Sequence, residues 1–61
     1  MVYAVGYDEK TSTLEVVFKK GSIWAYEDVP KKIYKNLLAS DSVGSYMNSF
    51  ILDCYNDYPI S

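Results

Sequence analysis

Hydrophobic and polar residues alternate through the first part of the chain. Over residues 13–19, Leu14, Val16 and Phe18 fall on one side and Thr13, Glu15 and Lys19 on the other, which predicts a half-buried strand. Tyr3, Val5 and Tyr7 alternate in the same way with Val2, Ala4 and Gly6 and predict a strand before it. Between the two, residues 8–12 are polar, and Asp8 and Ser12 can bond their own backbone in a turn. A third strand is expected over residues 22–27, after Lys20-Gly21. Parity sets the length of that second turn. A two-residue loop would leave Trp24 facing away from Leu14, Val16 and Phe18. A three-residue loop, with Gly21 left-handed in a G1 bulge, pairs Phe18 with Ser22, Val16 with Trp24 and Leu14 with Tyr26. The second register gathers the large apolar residues on one face and is the expected one.

The period changes at Pro30. Glu27 and Asp28 suit a helix N-terminus, and proline suits a first helical turn. Val29, Ile33 and Leu37, with Tyr34 and Leu38 beside them, recur at helical spacing until Ala39-Ser40. Asp41 or Ser42 can cap a second helix, in which Val43, Tyr46, Met47, Phe50, Ile51 and Cys54 share a face. Gly44 costs helix propensity there unless close approach to the sheet requires it. Pro59 is expected to stop the chain. The predicted architecture is α+β: a three-stranded antiparallel meander followed by two helices packed on one sheet face, in the order β-β-β-α-α. Residues 1–61 form one domain.

Composition narrows the chemistry. Of the 61 residues one is cysteine and none histidine, so an internal disulfide, a Cys/His zinc site and a Ser-His or Cys-His dyad are all excluded. No arginine is present, and six lysines stand against eight acids, a poor balance for duplex binding. Residues 10–35 hold all six lysines against Glu15, Glu27 and Asp28, whereas residues 36–61 hold three aspartates and no lysine. A basic middle and an acidic end favour head-to-tail self-association or a charged partner. With no signal peptide and no apolar run long enough to span a bilayer, a cytoplasmic protein without membrane contact is expected.

Gly6-Tyr7-Asp8, Leu14, Val16, Phe18, Gly21, Trp24-Ala25-Tyr26, Val29-Pro30, Gly44-Ser45-Tyr46, Asn48, Ile51 and Tyr55 together resemble the KTSC domain, a match across nearly the whole chain. That family occurs at the C-terminus of some bacterial lysyl-tRNA synthetases and as stand-alone proteins, phage-encoded ones among them. Its central aromatic-x-aromatic motif is Trp24-Ala25-Tyr26 here. The resemblance implies RNA binding as one role and implies no cofactor. Basic residues that often follow the family's Asn and Ile are replaced by Ser49, Leu52, Asp53 and Cys54, which makes nucleic acid the weaker expectation.

Several side chains remain as candidates. Lys31, Lys32 and Lys35, with Lys19 and Lys20 at the hairpin tip, could make a cationic patch or only a solvated face. Trp24, Tyr26, Tyr46 and Tyr55 could stack bases, although parity places Trp24 and Tyr26 in the core. Asn48, beside Ser45 and Tyr46, could read a ligand's polar edge or bond backbone at the helix–sheet junction. Asp53 and Asp57 share a face if the helix continues, and without further oxygen ligands they make a poor metal site. Cys54 reads as a buried, inert thiol beside Phe50 and Ile51.

Seven tyrosines are too many for so small a core, so Tyr3, Tyr7, Tyr34, Tyr55 and Tyr58 cannot all be hidden. The sequence therefore reads as a non-enzymatic, self-associating binding module without metal or cofactor. Its expected binding residues are Tyr26, Tyr46, Asn48, Tyr55, Lys31, Lys32 and Lys35. The expected partners are a second copy, a host protein or a small nucleotide-like molecule. RNA binding and a phage-encoded inhibitor or sponge for a host defence factor are the alternatives.

Overall fold

The computed structural model describes residues 2–61. Strand β1 (Val2–Asp8) runs antiparallel to β2 (Thr13–Phe18), which pairs with β3 (Ile23–Tyr26). Helix α1 (Lys31–Ala39) and a short helix α2 (Val43–Tyr46) follow, and α2 runs into a π-helical turn, Met47–Ile51. The chain then returns as β4 (Asp57–Pro59), antiparallel to β3, giving the sheet order β1-β2-β3-β4. The sheet thus has four strands rather than three. Pro59 does not stop the structure; it sits in an edge strand, where its missing N–H costs no ladder bond.

The β2–β3 turn has the expected register. Val16 faces Trp24, Leu14 faces Tyr26, and the Phe18 amide donates to the Ser22 carbonyl at 2.8 Å. Gly21 donates to the Phe18 carbonyl at 2.8 Å with φ +94°, a conformation glycine adopts without steric cost. β1 departs from simple alternation. Val2 faces Phe18 while Ala4 faces Val17, so Tyr3 is an extra residue in a bulge. Val2, Val5 and Tyr7 consequently turn toward the core, and Tyr3 is 75% exposed.

The core lies between the helices and one sheet face. Leu14, Val16, Tyr26, Val29, Leu37, Met47 and Ile51 form it. Val29 ties the hairpin to α1 with both of its backbone groups: its N–H donates to the Ser12 carbonyl at 2.9 Å, and its carbonyl accepts from the Tyr7 hydroxyl at 2.6 Å. Tyr34 of α1 stacks on the Tyr7 ring with centroids 5.0 Å apart and planes 13° from parallel.

Pro30 immediately precedes α1, whose first turn carries no acid; Glu27 and Asp28 lie in the turn before it. Ser42 caps α2, accepting from the Ser45 amide at 3.3 Å. The expected continuous second helix is not formed. The Leu52 amide reaches back to the Met47 carbonyl at 2.8 Å, Leu52 becomes extended, and Asp53 takes φ +65°. This wider turn keeps Met47 and Ile51 inside but leaves Phe50 53% exposed, and Cys54 is exposed rather than buried. Asp53 and Asp57 therefore do not share a helix face. Among the described residues no helix is long and apolar enough to cross a membrane.

Candidate binding surface

β-strand parity gives the sheet two unlike faces. Leu14, Val16, Trp24 and Tyr26 lie under the helices. Tyr26 is only 2% exposed, so it offers no ring face to a ligand, and Trp24 packs half-buried at the edge of the core. A stacking platform built on these two rings is closed to bases. Burial raises the Tyr26 phenol above its ordinary pKa, and the carboxylates of Asp57 and Asp53 push it the same way.

The opposite face carries Asp8, Thr13 and Glu15 beside Ala25 and Tyr58. No helix among the described residues covers it. Asp8, Glu15, Glu27 and Asp28, with Thr13 and Tyr58, line an open hollow of about 410 Å³ there. Four carboxylates around one concavity repel polyanions.

The other expected binding residues fall in separate places. Lys31, Lys32 and Lys35 lie exposed on α1, and Lys31 is ion-paired with Glu9 of the β1–β2 turn. The hydrogen bond and charge of Lys31 hold the Glu9 carboxyl below its ordinary range, and Glu9 raises the Lys31 ammonium in return. This pair also moderates the unfavourable placing of a lysine at a helix N-terminus. Tyr46 is half-buried with its ring 4.7 Å from Phe50, and Tyr55 packs half-buried against the core.

Asn48 is exposed, and its side chain makes no hydrogen bond among the described residues, contrary to a role in bonding buried backbone. It lines a second cleft, of about 340 Å³, together with Ser45, Met47, Phe18, Val2 and Leu52. This cleft brings the Asn48 amide and Ser45 hydroxyl over an apolar floor, and among the described residues no charged side chain lines it. Gly44 also borders it, and a Cβ there would meet nothing within 4 Å. The glycine is therefore not required by close approach to the sheet.

Of the surplus tyrosines, Tyr7 and Tyr34 cover each other, while Tyr3 and Tyr58 stand open, Tyr58 at 46% exposure. Phe50, Leu38 and Ile60 are exposed as well, and sequence reasoning missed them. Ile60 follows an edge strand that carried no periodic signal, and the π turn that expels Phe50 left none either.

Comparison with known proteins bears on this arrangement. The KTSC domain family model matches residues 1–55. A Stutzerimonas stutzeri protein is 40% identical over 45 residues, covering 74% of this chain and 63% of that protein. The chain thus spans under two thirds of that relative's length. A lysine–tRNA ligase of Nostoc punctiforme is 38% identical over 45 residues, which cover 74% of this chain but 8% of the ligase. The crystal structure of a KTSC domain protein from Yersinia pestis superimposes with a TM-score of 0.92 at 24% identity, covering 98% of this chain and 84% of that one. At that identity the likeness speaks for the fold.

Proposed function

The chain belongs to the KTSC domain family, and from that starting point we propose that it is a non-catalytic interaction module that self-associates and takes a protein or nucleotide-like ligand. One observation carries the reading: on so small a protomer Tyr3, Phe50 and Tyr58 remain open to solvent. Exposed aromatic area of this kind is what interfaces use, because such rings supply large contact area with few rotors to freeze. The neutral cleft beside α2 supports a small ligand with a flat apolar body and a polar edge, the edge meeting Asn48 and Ser45.

Sedimentation equilibrium from micromolar to millimolar concentration tests the association, and titration with free nucleosides read on the Asn48 side-chain amide by NMR tests the cleft. The expected results are a concentration-dependent mass and a saturable shift. A monomer at every concentration with an unmoved amide overturns the reading.

RNA contact is a second reading, favoured by the similarity to a lysine–tRNA ligase and by the exposure of Lys32 and Lys35. It predicts tRNA binding that weakens steeply with salt and is lost in the Lys32→Glu, Lys35→Glu double variant. No tRNA binding at low salt removes it.

A further inference from the structure

The sheet has two edges of opposite character. β4 is three residues long and includes Pro59. Its inner bonds come from the even positions: Asn56 accepts from the Glu27 amide at 2.8 Å, and Ile60 donates to the Ile23 carbonyl at 2.7 Å. Asp57 and Pro59 therefore face outward, one charged and the other lacking a donor. Such an edge resists further pairing.

β1 is seven residues long and has neither charge nor proline from Val2 to Tyr7. Ladder parity fixes which of its groups are free. Phe18 bonds Ser22 across the β2–β3 turn, so Phe18, Val16 and Leu14 direct their backbone groups to β3. Val17, Glu15 and Thr13 then direct theirs to β1, where they meet Ala4, Gly6 and Asp8. The N–H and C=O groups of Val5 and Tyr7 are left pointing out of the sheet, with no backbone partner among the described residues.

We infer that β1 pairs antiparallel with β1 of a second copy, extending one sheet across both protomers about a two-fold axis near Val5 and Gly6. The inference rests on the self-association reading and locates its interface. Both copies present the same odd-numbered groups, so the two-fold pairing sets Val5 opposite Val5 or Tyr7 and satisfies donors and acceptors reciprocally. Charge selects the direction. A parallel arrangement stacks Asp8 on Asp8 and Glu9 on Glu9, whereas an antiparallel one sets that acidic end against neutral Val2 and Tyr3. Ala4 and Gly6 are small, and Tyr3, open beside this edge, gains cover.

Hydrogen exchange and sedimentation on the intact chain test the inference together. The Val5 and Tyr7 amides are expected to exchange slowly in concentrated protein and fast on dilution, in step with loss of the dimer. Val5→Pro removes an outward donor without touching the internal ladder, and it is expected to give a folded monomer. Should that variant fail to fold, Ala4→Asp decides: the position is exposed, and the new carboxylate meets the acidic end of the other copy. It is expected to weaken the dimer about tenfold, equivalent to about 1.4 kcal/mol. A dimer whose Val5 and Tyr7 amides exchange freely, or that Ala4→Asp leaves unchanged, overturns the edge pairing and leaves self-association standing. A monomer at every concentration overturns both.

Discussion

The two faces of the sheet are built from alternate residues of the same strands, yet they do different work. On one, Leu14, Val16 and Tyr26 lie beneath α1, α2 and the π turn with almost no exposure. On the other, Glu15, Thr13 and Asp8 border an open hollow with Tyr58 at its side. Period-two patterning thus separates a covered face from an open one within a single layer: α1, α2 and the π turn lie over one side, and no helix among the described residues lies over the other. Among the described residues no element forms a second covering layer.

The sharpest way to break this division is to hollow out the covered face. Leu37 is fully buried, and Leu37→Ala is expected to cost about 2–5 kcal/mol, a large share of what so small a domain holds. Glu15→Gln on the open face is expected to stay within about 0.5 kcal/mol. Urea denaturation of the two variants measures both. Equal losses would mean that the open face is also structural.

Register keeps the faces distinct, since a slip of one residue would carry Leu14 and Val16 into solvent. Gly21 fixes that register with its φ of +94°, and a Cβ there would meet no atom within 4 Å. The cost of Gly21→Ala is therefore one of backbone conformation alone, about 1–2 kcal/mol by the left-handed penalty for an L-residue. Thermal unfolding with NMR cross-strand contacts between Val16 and Trp24 shows whether the turn resists or the strands slip.

This turn was also the most legible part of the sequence, because two independent signals agreed: a glycine where positive φ is needed, and large residues whose parity permits one loop length. α1 was legible for the same kind of reason, and the cap of α2 was narrowed to Asp41 or Ser42, of which the fold uses Ser42. The bulge at Tyr3 was not, since an inserted residue leaves alternation intact on either side and shows only against its partner strand. Residues 47–59 were the least legible. A helical face continues on paper through Phe50 and Cys54, but the Leu52 amide bonds five residues back, and Asp53 then takes a left-handed seat that aspartate tolerates without advertising it. β4 was hidden by a proline read as a stop rather than as an edge residue. The candidate residues suffered accordingly: Tyr26 went to the core, while Asn48 and Ser45 met in a cleft that only the folded α2 and β1–β2 edge create.

Alkaline pH probes the covered face more gently. The folded chain holds the Tyr26 proton more tightly than the unfolded chain, through burial first and the carboxylates of Asp57 and Asp53 second. The associated stability is complete below the ordinary tyrosine pKa of about 10 and declines as pH rises past it, because the unfolded state ionises first. Tyr26→Phe is expected to flatten that decline, and Asp57→Asn to reduce it less. Unfolding free energy followed from neutral to strongly alkaline pH measures the slope; an unchanged slope in Tyr26→Phe would show that Tyr26 does not set it.

The smallest effect belongs to the ion pair between Glu9 and Lys31, which joins the β1–β2 turn to α1 at the surface. Because the Glu9 carboxyl sits below its ordinary range, the stability it contributes is present above the unfolded glutamate pKa and lost as pH falls through the folded value. Lys31 behaves in the opposite sense, its contribution fading only as pH rises toward the lysine range. Both groups are open to water, so salt weakens the pair and side-chain freedom opposes it. Glu9→Gln is expected to lower the melting temperature slightly at neutral pH and low salt, and not at all in high salt or at strongly acid pH. A loss that persists in high salt would show that Glu9 acts through packing of the turn rather than through charge, and would move this contact from the periphery of the fold into its support.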